Sequence, residues 1–371
     1  MTKEKVLGAL SNVQEPDLGK DIVTLNMVKD ITIEGNYVSF TVVLTTPACP
    51  LKDMIKNACV NAIKLLVNKE AMVNVKFDSN TTTKRTDNRA LLPKVKNIIA
   101  VVSGKGGVGK STVAANLALA LSQGGAKVGL MDADIYGPSV PIMFGVRGQH
   151  PMMMEVGEEK PMIAPIEKYG IKLMSIGLLV DEKSAVVWRG PMASSALRQF
   201  VTDVYWDELD YLVVDMPPGT GDIHLTLVQT VPVTGVVIVT TPQDVALADA
   251  KKGIAMFGQA QINVPIIGLV ENMSYFIPPT GGAELPENKY YIFGKEGGKR
   301  LADEYEIPFL GQIPLVQSIR EGGDAGVPVM VSEDVISKKA FESFASHVVR
   351  SVAMRNANIA STKVVETVSQ A

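Results

Sequence analysis

Glycine and lysine residues are interspersed over residues 104–112 in a spacing that suits phosphate binding. The stretch reads Gly104, Lys105, Gly106, Gly107, Val108, Gly109, Lys110, Ser111 and Thr112. Glycines let successive backbone N–H groups turn toward an anion, because no Cβ stands in the way. A lysine at the end of such a loop reaches the β- and γ-phosphates of a nucleotide, and the hydroxyl that follows it holds Mg²⁺. The spacing therefore predicts a nucleotide site in which Lys110 and Ser111 carry these two tasks.

The segments on either side of this loop supply the strand and the helix that a phosphate loop needs. An apolar run over residues 97–102 precedes it, and a helical run over residues 113–121 follows it. The helix start adds unpaired N–H groups and the positive end of a dipole. A glycine-rich turn without a ligand is the alternative, but strand, glycine loop, lysine, hydroxyl and helix in this order favour a P-loop.

Carboxylates follow two other apolar strands. Asp132 and Asp134 lie at the end of one predicted strand, and Asp215 ends another, directly before a Pro-Pro-Gly turn at residues 217–219. A carboxylate in this position near a P-loop helps to hold hydrated Mg²⁺. The stiff turn could sense a γ-phosphate. Ordinary strand-end turns are the alternative reading, since Asp and Gly are common turn residues.

The apolar patterning divides the 371 residues into two domains. Residues 1–78 are predicted to form a small α/β domain. It contains a hairpin that turns at residues 34–36, a helix over 51–67 and a strand over 73–77. The polar residues 79–94 are predicted to form a linker, and residues 355–371 are predicted to form a flexible tail.

Residues 95–354 are predicted to form the P-loop ATPase domain, because they contain the glycine loop. Continuous apolar strands alternate with helices there. The predicted strands span residues 98–102, 128–132, 211–215, 235–240, 265–270 and 309–313. This pattern is typical of a doubly wound, mostly parallel sheet, so the predicted fold class is α/β. Ligands of such sheets bind beyond the carboxyl ends of the strands, where the glycine loop lies.

Composition and charge limit the classes of partner. Apolar residues make up 46% of the chain and the net charge is −3, so nothing favours nucleic acid or an anionic membrane. No apolar run approaches the roughly 18 residues of a spanning helix, and the first residues do not resemble a signal peptide. A last helix is predicted over residues 333–354, and its weakly basic polar face favours docking on the core over membrane targeting. We expect a cytoplasmic protein.

The additional lysine, Lys105, gives the loop a resemblance to the deviant Walker A motif of the MinD/ParA/nitrogenase-iron-protein superfamily. The resemblance implies a homodimer that sandwiches two nucleotides. Lys105 would then reach the phosphates bound by the partner and neutralise charge as the phosphoryl group leaves, in the manner of an arginine finger.

Further motifs resemble the Mrp/ApbC family of iron–sulfur cluster carrier ATPases and the small domain that precedes them in bacteria. These motifs span residues 132–139, 188–192, 215–222, 271–274 and 292–294, together with 15–18 and 46–50 in the first domain. The resemblance implies that Asp134 positions the attacking water, that Asp132 and Asp215 support Mg²⁺, and that Asn272 contacts the adenine. It also implies ATP hydrolysis during the assembly or transfer of iron–sulfur clusters, with apoproteins or cluster scaffold proteins as partners.

The residues after Asn272 favour adenine over guanine independently. GTPases typically read guanine with an Asn-Lys-x-Asp loop, whose carboxylate accepts hydrogen bonds from the base. Here Met273, Ser274 and Tyr275 follow the asparagine, so that carboxylate is missing. A specifying partner must be present for a base to be read, and we therefore expect ATP.

The cysteines depart from the family pattern. The family places a Cys-x-x-Cys after the Asn-Met-Ser motif, whereas residues 276–285 contain no cysteine and the chain has only Cys49 and Cys59. Iron–sulfur clusters need soft thiolates. Cys49 precedes the helix predicted from residue 51, where a helix start would favour the thiolate. Cys59 lies about 15 Å further along that helix, too far to share an iron, and is expected to be a core residue. A cluster thiolate and an inert packed cysteine remain open for Cys49.

Two other functional classes remain open. A positioning ATPase like MinD or ParA would need a basic terminal helix or patch, which the sequence does not clearly supply. A nucleotide-dependent scaffold would bind partners without holding a cluster. The three histidines have no metal-ligand spacing, and His224 is expected to be a polar helix-start residue rather than a catalytic base.

Overall fold

A computed structural model describes residues 1–83, 91–157, 160–180, 189–278, 289–360 and 364–365. These residues form two compact units. The first comprises Met1–Thr82 and Ala353–Ile359, and the second comprises Thr83–Val352 and Ala360–Ala371. Among the described residues, no helix combines the length and the apolar character needed to cross a bilayer.

The first unit packs two helices on a three-stranded sheet. Its elements in chain order are α1 (Lys3–Leu10), β1 (Gln14–Glu15), β2 (Lys20–Asp21), β3 (Val28–Glu34), β4 (Tyr37–Leu44), α2 (Lys52–Leu66) and β5 (Met72–Ser79). Strand β4 lies between β3, to which it is antiparallel, and β5, to which it is parallel. Helix α2 buries Ile55, Cys59 and Ile63, and their four-residue spacing places them on one face.

The hairpin loop of this unit is shorter than the sequence predicts. Glu34 pairs with Tyr37, so the loop contains only Gly35 and Asn36 instead of three residues. Gly35 adopts a φ of 59°, which the absence of a Cβ makes accessible.

The second unit is built on an eight-stranded sheet, counted over the described residues. Its main strands are β6 (Val95–Val102), β7 (Val128–Asp132), β10 (Ile166–Lys168), β11 (Ile171–Ser175), β12 (Leu209–Asp215), β13 (Gly235–Thr240), β14 (Ile266–Glu271) and β15 (Phe309–Gln312), and the short strands β8 (Met153–Met154) and β9 (Met162–Ile163) form a separate hairpin. The sheet order is β10-β11-β7-β12-β6-β13-β14-β15, and only β10 is antiparallel to its neighbour. The predicted doubly wound, mostly parallel α/β fold is therefore confirmed.

Helices connect these strands. They are α3 (Lys110–Gln123), α4 (Val140–Met143), α5 (Gly190–Thr202), α6 (Asp222–Thr230), α7 (Asp244–Gly258), α8 (Gly297–Glu304), α9 (Gln317–Ala325) and α10 (Val335–Asn358). Strands β7, β12, β6 and β13 are buried along their whole lengths or nearly so, which explains their continuous apolar sequences.

Two sequence expectations need correction. Strands β10 and β11 were not predicted, because Glu167, Lys168 and Lys172 interrupt their apolar runs; they extend the sheet beyond β7. Helix α10 also continues to Asn358, past the predicted start of the flexible tail at residue 355, and Arg355 and Asn356 are buried. No proline or glycine interrupts the helix there. Most of the predicted linker, residues 84–90, lies outside the described residues.

Close packing of β13 generates a stability prediction. A Cβ on Gly235 would lie 2.8 Å from the carbonyl oxygen of Pro265 and 2.5 Å from a side-chain carbon of Ile267. We expect Gly235→Ala to lower the free energy of unfolding by about 1–3 kcal/mol, because the backbone must shift. Gly258→Ala is the control, since a Cβ at that helical position meets open space; it should change the free energy by less than about 1 kcal/mol, in the stabilising direction. Urea unfolding followed by circular dichroism measures both, and equal stabilities of the two variants would contradict the packing assigned to β13.

Candidate functional site

The phosphate loop lies at the carboxyl end of β6, between that strand and α3. Gly107 and Gly109 have φ values of 81° and 78°, in the left-handed region that glycine enters at no steric cost. The Ser103 hydroxyl donates to the Lys105 carbonyl at 2.9 Å and so fixes the start of the loop. Helix α3 begins at Lys110 with no side-chain cap. Its first N–H groups are therefore available to an anion.

Neighbouring elements hold this loop from two sides. A Cβ on Gly104 would collide with the Asp249 carbonyl of α7, and a Cβ on Gly109 would collide with the Asn272 side chain. The Asn272 amide donates to the Val108 carbonyl at 2.8 Å. Glycine at these positions thus permits the loop conformation and also lets the backbone lie close to other protein groups.

Lys110 is buried beneath the loop and is paired with carboxylates. Its Nζ lies 2.5 Å from Asp215 Oδ1 and 3.7 Å from Asp134 Oδ2. Only 6% of the side chain is exposed. A buried ammonium needs such partners, because desolvation without them is costly. The lysine therefore lies beside the carboxylates proposed for Mg²⁺ and water.

Asp132 and Asp215 are direct neighbours on the parallel strands β7 and β12. Both are fully buried. Asp132 accepts hydrogen bonds from the Ser175 hydroxyl at 2.9 Å and from the Val140 and Asp134 N–H groups. Burial, and then the adjacent charge of Asp215, raise the pKa of Asp132 above its ordinary value. A cation would stabilise this pair of like charges.

The donor set fits a magnesium ion. Asp215 Oδ2 is buried and has no hydrogen-bond partner among the described residues. Such an orphaned oxygen needs an explanation. Mg²⁺ prefers carboxylate, hydroxyl and water oxygens, and the Ser111 hydroxyl lies at the start of the same site, 3.3 Å from Lys110 Nζ.

Asp134 borders a cavity of about 440 Å³. The cavity is also lined by Pro217, Pro218 and His224, from the Pro-Pro-Gly turn and the start of α6. Burial raises the pKa of Asp134, and the nearby Lys110 opposes that rise. The carboxylate therefore stands between the phosphate loop and a space large enough for water and a phosphate group.

A second cavity, of about 340 Å³, opens on the other side of the loop. Gly109, Thr112 and Asn272 line it, together with residues of the segment 314–324. Its position next to the start of α3 suits a nucleoside. Asn272 borders this cavity while its amide nitrogen is engaged by the loop, so its contact with adenine stays a prediction.

Lys105 differs from Lys110 in its surroundings. The side chain of Lys105 is exposed, whereas that of Lys110 is buried. The two lysines of one loop therefore lie in different environments, and the proposed action of Lys105 on a partner chain stays a prediction.

Two buried residues that order the site were given no role from the sequence, although Glu271 lies in one of the family motifs. Ser175 lies on the unpredicted strand β11 and holds Asp132. Glu271 is fully buried and accepts hydrogen bonds from the Gly298 N–H at 2.6 Å, from Gln312 Nε2 at 2.9 Å and from the Ser274 hydroxyl. It orders the segment that contains Asn272. An acidic residue ending an apolar strand was the available signal for Glu271, and no signal marked Ser175.

The cysteines lie in the first unit, and the expectation for Cys49 needs correction. Cys49 is half-buried, and burial raises the pKa of its thiol, with the nearby carboxylates of Glu15 and Asp17 adding to the rise. The expected preference of Cys49 for the thiolate form is therefore wrong. The start of α2 lies three residues away and does not outweigh desolvation. Cys59 is buried, as expected, and its pKa is raised to about 12 by burial.

Some residues of the predicted motifs lie outside the described ranges. These are Trp188 and residues 279–285 of the segment in which the family places its Cys-x-x-Cys. Within the described residues, no group of three or more His, Cys, Asp or Glu side chains is arranged to hold a metal ion by itself.

Comparison with known proteins places this geometry in a family. Residues 94–349 match the family described as "NUBPL iron-transfer P-loop NTPase", and residues 3–77 match "Iron-sulfur cluster assembly protein". An iron-sulfur cluster carrier protein of Synechocystis is 49% identical over 356 residues, covering 95% of this chain and 99% of the relative. The Escherichia coli protein of the same name is 46% identical over 328 residues, covering 88% and 86%.

A solved structure is similar as well. It is a nucleotide-binding protein from Archaeoglobus fulgidus in complex with ADP, 39% identical, with a TM-score of 0.54 and coverage of 64% of this chain and 88% of that one. The phosphate loop, the two strand-end carboxylates and these matches agree, and the chain belongs to the NUBPL iron-transfer P-loop NTPase family.

Proposed function

We propose that this protein binds ATP with Mg²⁺, hydrolyses it as a homodimer, and uses the cycle in the assembly of iron–sulfur clusters or their transfer to apoproteins. The observation that carries the nucleotide part is the convergence of Lys110, Asp134 and Asp215 under the phosphate loop. The names of the relatives, iron-sulfur cluster carrier proteins, support the part that concerns clusters.

Binding of ATP would change the partner of Lys110. The Lys110 ammonium pairs with Asp215 and lies near Asp134. The β- and γ-phosphates would compete for this ammonium, while the loop N–H groups and the start of α3 bind the phosphate oxygens. Mg²⁺, held by Ser111 and supported by Asp132 and Asp215, would neutralise charge that develops on the phosphates.

Hydrolysis requires a positioned water and a stabilised leaving group. Asp134 borders the larger cavity and has a raised pKa, so its carboxylate is placed to orient a water there. Lys105 is exposed and would approach the phosphates of the partner subunit. The closing and opening of the dimer would couple hydrolysis to the cluster cargo.

The cargo cannot be held by the thiolates that the family resemblance implies. The chain contains no cysteine after residue 59. Soft sulfur ligands are needed for an iron–sulfur cluster. Cys49 is the more accessible of the two thiols, so we propose that a cluster is held by Cys49 from each of two chains, together with external ligands.

The missing thiols also favour a second candidate function. A nucleotide-dependent scaffold would recruit apoproteins and cluster scaffold proteins without holding a cluster itself. The raised pKa of Cys49, which disfavours a metal-binding thiolate near neutral pH, is the observation that supports this candidate.

The proposed role of Lys105 predicts that its removal affects ATP hydrolysis far more than nucleotide binding. Lys105→Ala should keep ADP affinity within about threefold and lose at least about 100-fold in kcat, because the charge acts on the leaving phosphoryl group. Lys110→Ala is the matched control in the same loop and should lose nucleotide binding itself. Titration calorimetry and phosphate release measure the two effects.

Mixing two inactive chains tests whether Lys105 acts across the dimer. A heterodimer of Lys105→Ala and Asp134→Ala chains contains one site with both an intact Asp134 and an intact Lys105 from the partner. Equimolar mixing should therefore restore about one quarter of the wild-type rate, given random pairing in a two-fold dimer. No recovery, with mixed dimers demonstrated, would show that Lys105 acts within its own subunit.

Anaerobic reconstitution with iron and sulfide tests the proposal for Cys49. Cys49→Ser should abolish iron retention and leave ATP hydrolysis unchanged, whereas the control Cys59→Ser should retain iron. Because burial raises the pKa of the Cys49 thiol, the thiolate fraction and hence iron loading should increase as the pH is raised from about 7 to about 9. Iron content and absorbance report the outcome.

Either of two results would contradict this assignment. Iron retention that survives Cys49→Ser would exclude Cys49 as the ligand. A wild-type protein that hydrolyses ATP but retains no iron at any pH would favour the scaffold instead.

A further inference from the structure

The loop that follows Asp215 lies across the phosphate loop and is fixed by backbone hydrogen bonds. The Met216 N–H donates to the Val101 carbonyl at 3.1 Å, and the Gly219 N–H donates to the Ser103 carbonyl at 2.8 Å. Gly219 has a φ of 94°, which no Cβ opposes. A change at the γ-phosphate would therefore reach this loop directly, since Pro217, Pro218 and Gly221 border the cavity that Asp134 faces.

The His224 side chain contacts the end of this loop. It lies in the first turn of α6 and is 1% exposed. Its Nδ1 is 3.3 Å from the Gly221 carbonyl oxygen. A carbonyl only accepts, so Nδ1 carries the proton and donates. The imidazole thus bonds the last residue of the loop that follows Asp215.

The ring is held neutral. Burial lowers the pKa of His224 to about 4, and Lys110 contributes to the lowering, while the Gly221 and Pro217 carbonyls oppose it only in part. The imidazole is therefore neutral near neutral pH.

The other ring nitrogen explains what the imidazole contributes. Nε2 is buried and has no hydrogen-bond partner among the described residues. The ring packs edge-on toward Phe257, with centroids 6.3 Å apart. An apolar side chain would fill this space without leaving a buried lone pair unsatisfied. The group that an apolar side chain could not replace is the Nδ1–H, which bonds the loop.

We propose that His224 is a positioning residue that sets the conformation of residues 217–221 for recognition of the γ-phosphate. The inference rests on the proposed ATPase function. ADP has no γ-phosphate to place beside residues 217–221, whereas ATP must also be accommodated by them. Loss of the Nδ1 donor should therefore affect ATP and its hydrolysis while sparing ADP.

Three variants separate this role from a merely structural one. His224→Leu removes the donor and keeps the site apolar. His224→Asn restores a donor at the position of Nδ1 without restoring Nε2. Thr226→Val is the control, because it removes buried hydrogen bonds to Ser194 and to the Asp222 carbonyl in the same helix without touching the ring. Thermal unfolding establishes that each variant folds.

The measurements are the dissociation constants of ADP and of a non-hydrolysable ATP analogue, and kcat for ATP. His224→Leu should keep ADP affinity within about twofold, weaken the analogue about tenfold and lower kcat at least about tenfold, because misplacing a reacting group costs rate steeply. His224→Asn should recover most of both losses. Thr226→Val should change the two dissociation constants equally, if at all.

The inference is overturned if His224→Leu leaves the ratio of the two dissociation constants unchanged, or if His224→Asn behaves like His224→Leu. Should His224→Leu not fold, His224→Phe, which keeps a ring against Phe257, takes its place. The binding ratio does not depend on turnover. A wild-type protein that discriminates ATP from ADP without hydrolysing it would therefore contradict the proposed ATPase and leave the test of His224 intact.

Discussion

The charge balance around Lys110 is the constraint on which the rest of the second unit depends. An ammonium buried under a phosphate loop must have anionic partners, and the protein supplies them from two neighbouring strands, with Asp215 at 2.5 Å and Asp134 at 3.7 Å. Asp132 lies directly beside Asp215 and shares its burial. The site thus brings Asp134 and Asp215 to Lys110 and places Asp132 beside Asp215, where burial and that neighbouring charge raise the Asp132 pKa. A divalent cation would favour the ionised form of this pair. The parallel sheet, whose strands end at one edge, is the means by which these side chains meet.

A second constraint is the backbone packing around the phosphate loop. Gly104 and Gly109 have no room for a Cβ, because α7 and the Asn272 side chain approach them closely. Glu271 orders the segment that carries Asn272, and His224 orders the segment that follows Asp215. The loop is therefore enclosed by two segments, one beside each cavity, and each segment is fixed by a buried polar side chain. In the first unit, by contrast, the accessible thiol of Cys49 lies in surroundings that favour its neutral form.

Local sequence patterns predict the phosphate loop and the strands that end beside it. Features that depend on contacts between residues distant in sequence could not be predicted. The spacing of glycines and lysines predicts the loop, and apolar runs ending in Asp132 and Asp215 predict strands that deliver carboxylates to one edge. The pairing of Lys110 with Asp215 follows only when β6, which leads into the phosphate loop, is placed beside β12. Ser175 was missed because Lys172 interrupts the apolar run of β11 and the strand is recognisable only by its pairing with β7. The pKa of Cys49 was misjudged because the helix start is visible in the sequence, whereas its burial and the carboxylates of Glu15 and Asp17 are contributed by the fold.

The central claim is that Lys110 and Asp215 form one unit that exchanges its internal pairing for Mg²⁺ and nucleotide. Calorimetric titration of ADP with and without Mg²⁺, on the wild type and on Asp215→Asn, tests it most directly. Asp210→Asn is the matched control. Asp210 lies on the same strand as Asp215, and it pairs with Lys96 instead of Lys110. The account predicts that Mg²⁺ strengthens ADP binding at least about tenfold in the wild type and the control, and less than about twofold in Asp215→Asn. It also predicts that Asp215→Asn binds magnesium-free ADP at least as tightly as the wild type does, since Lys110 is released. Full enhancement by Mg²⁺ in Asp215→Asn would contradict the account.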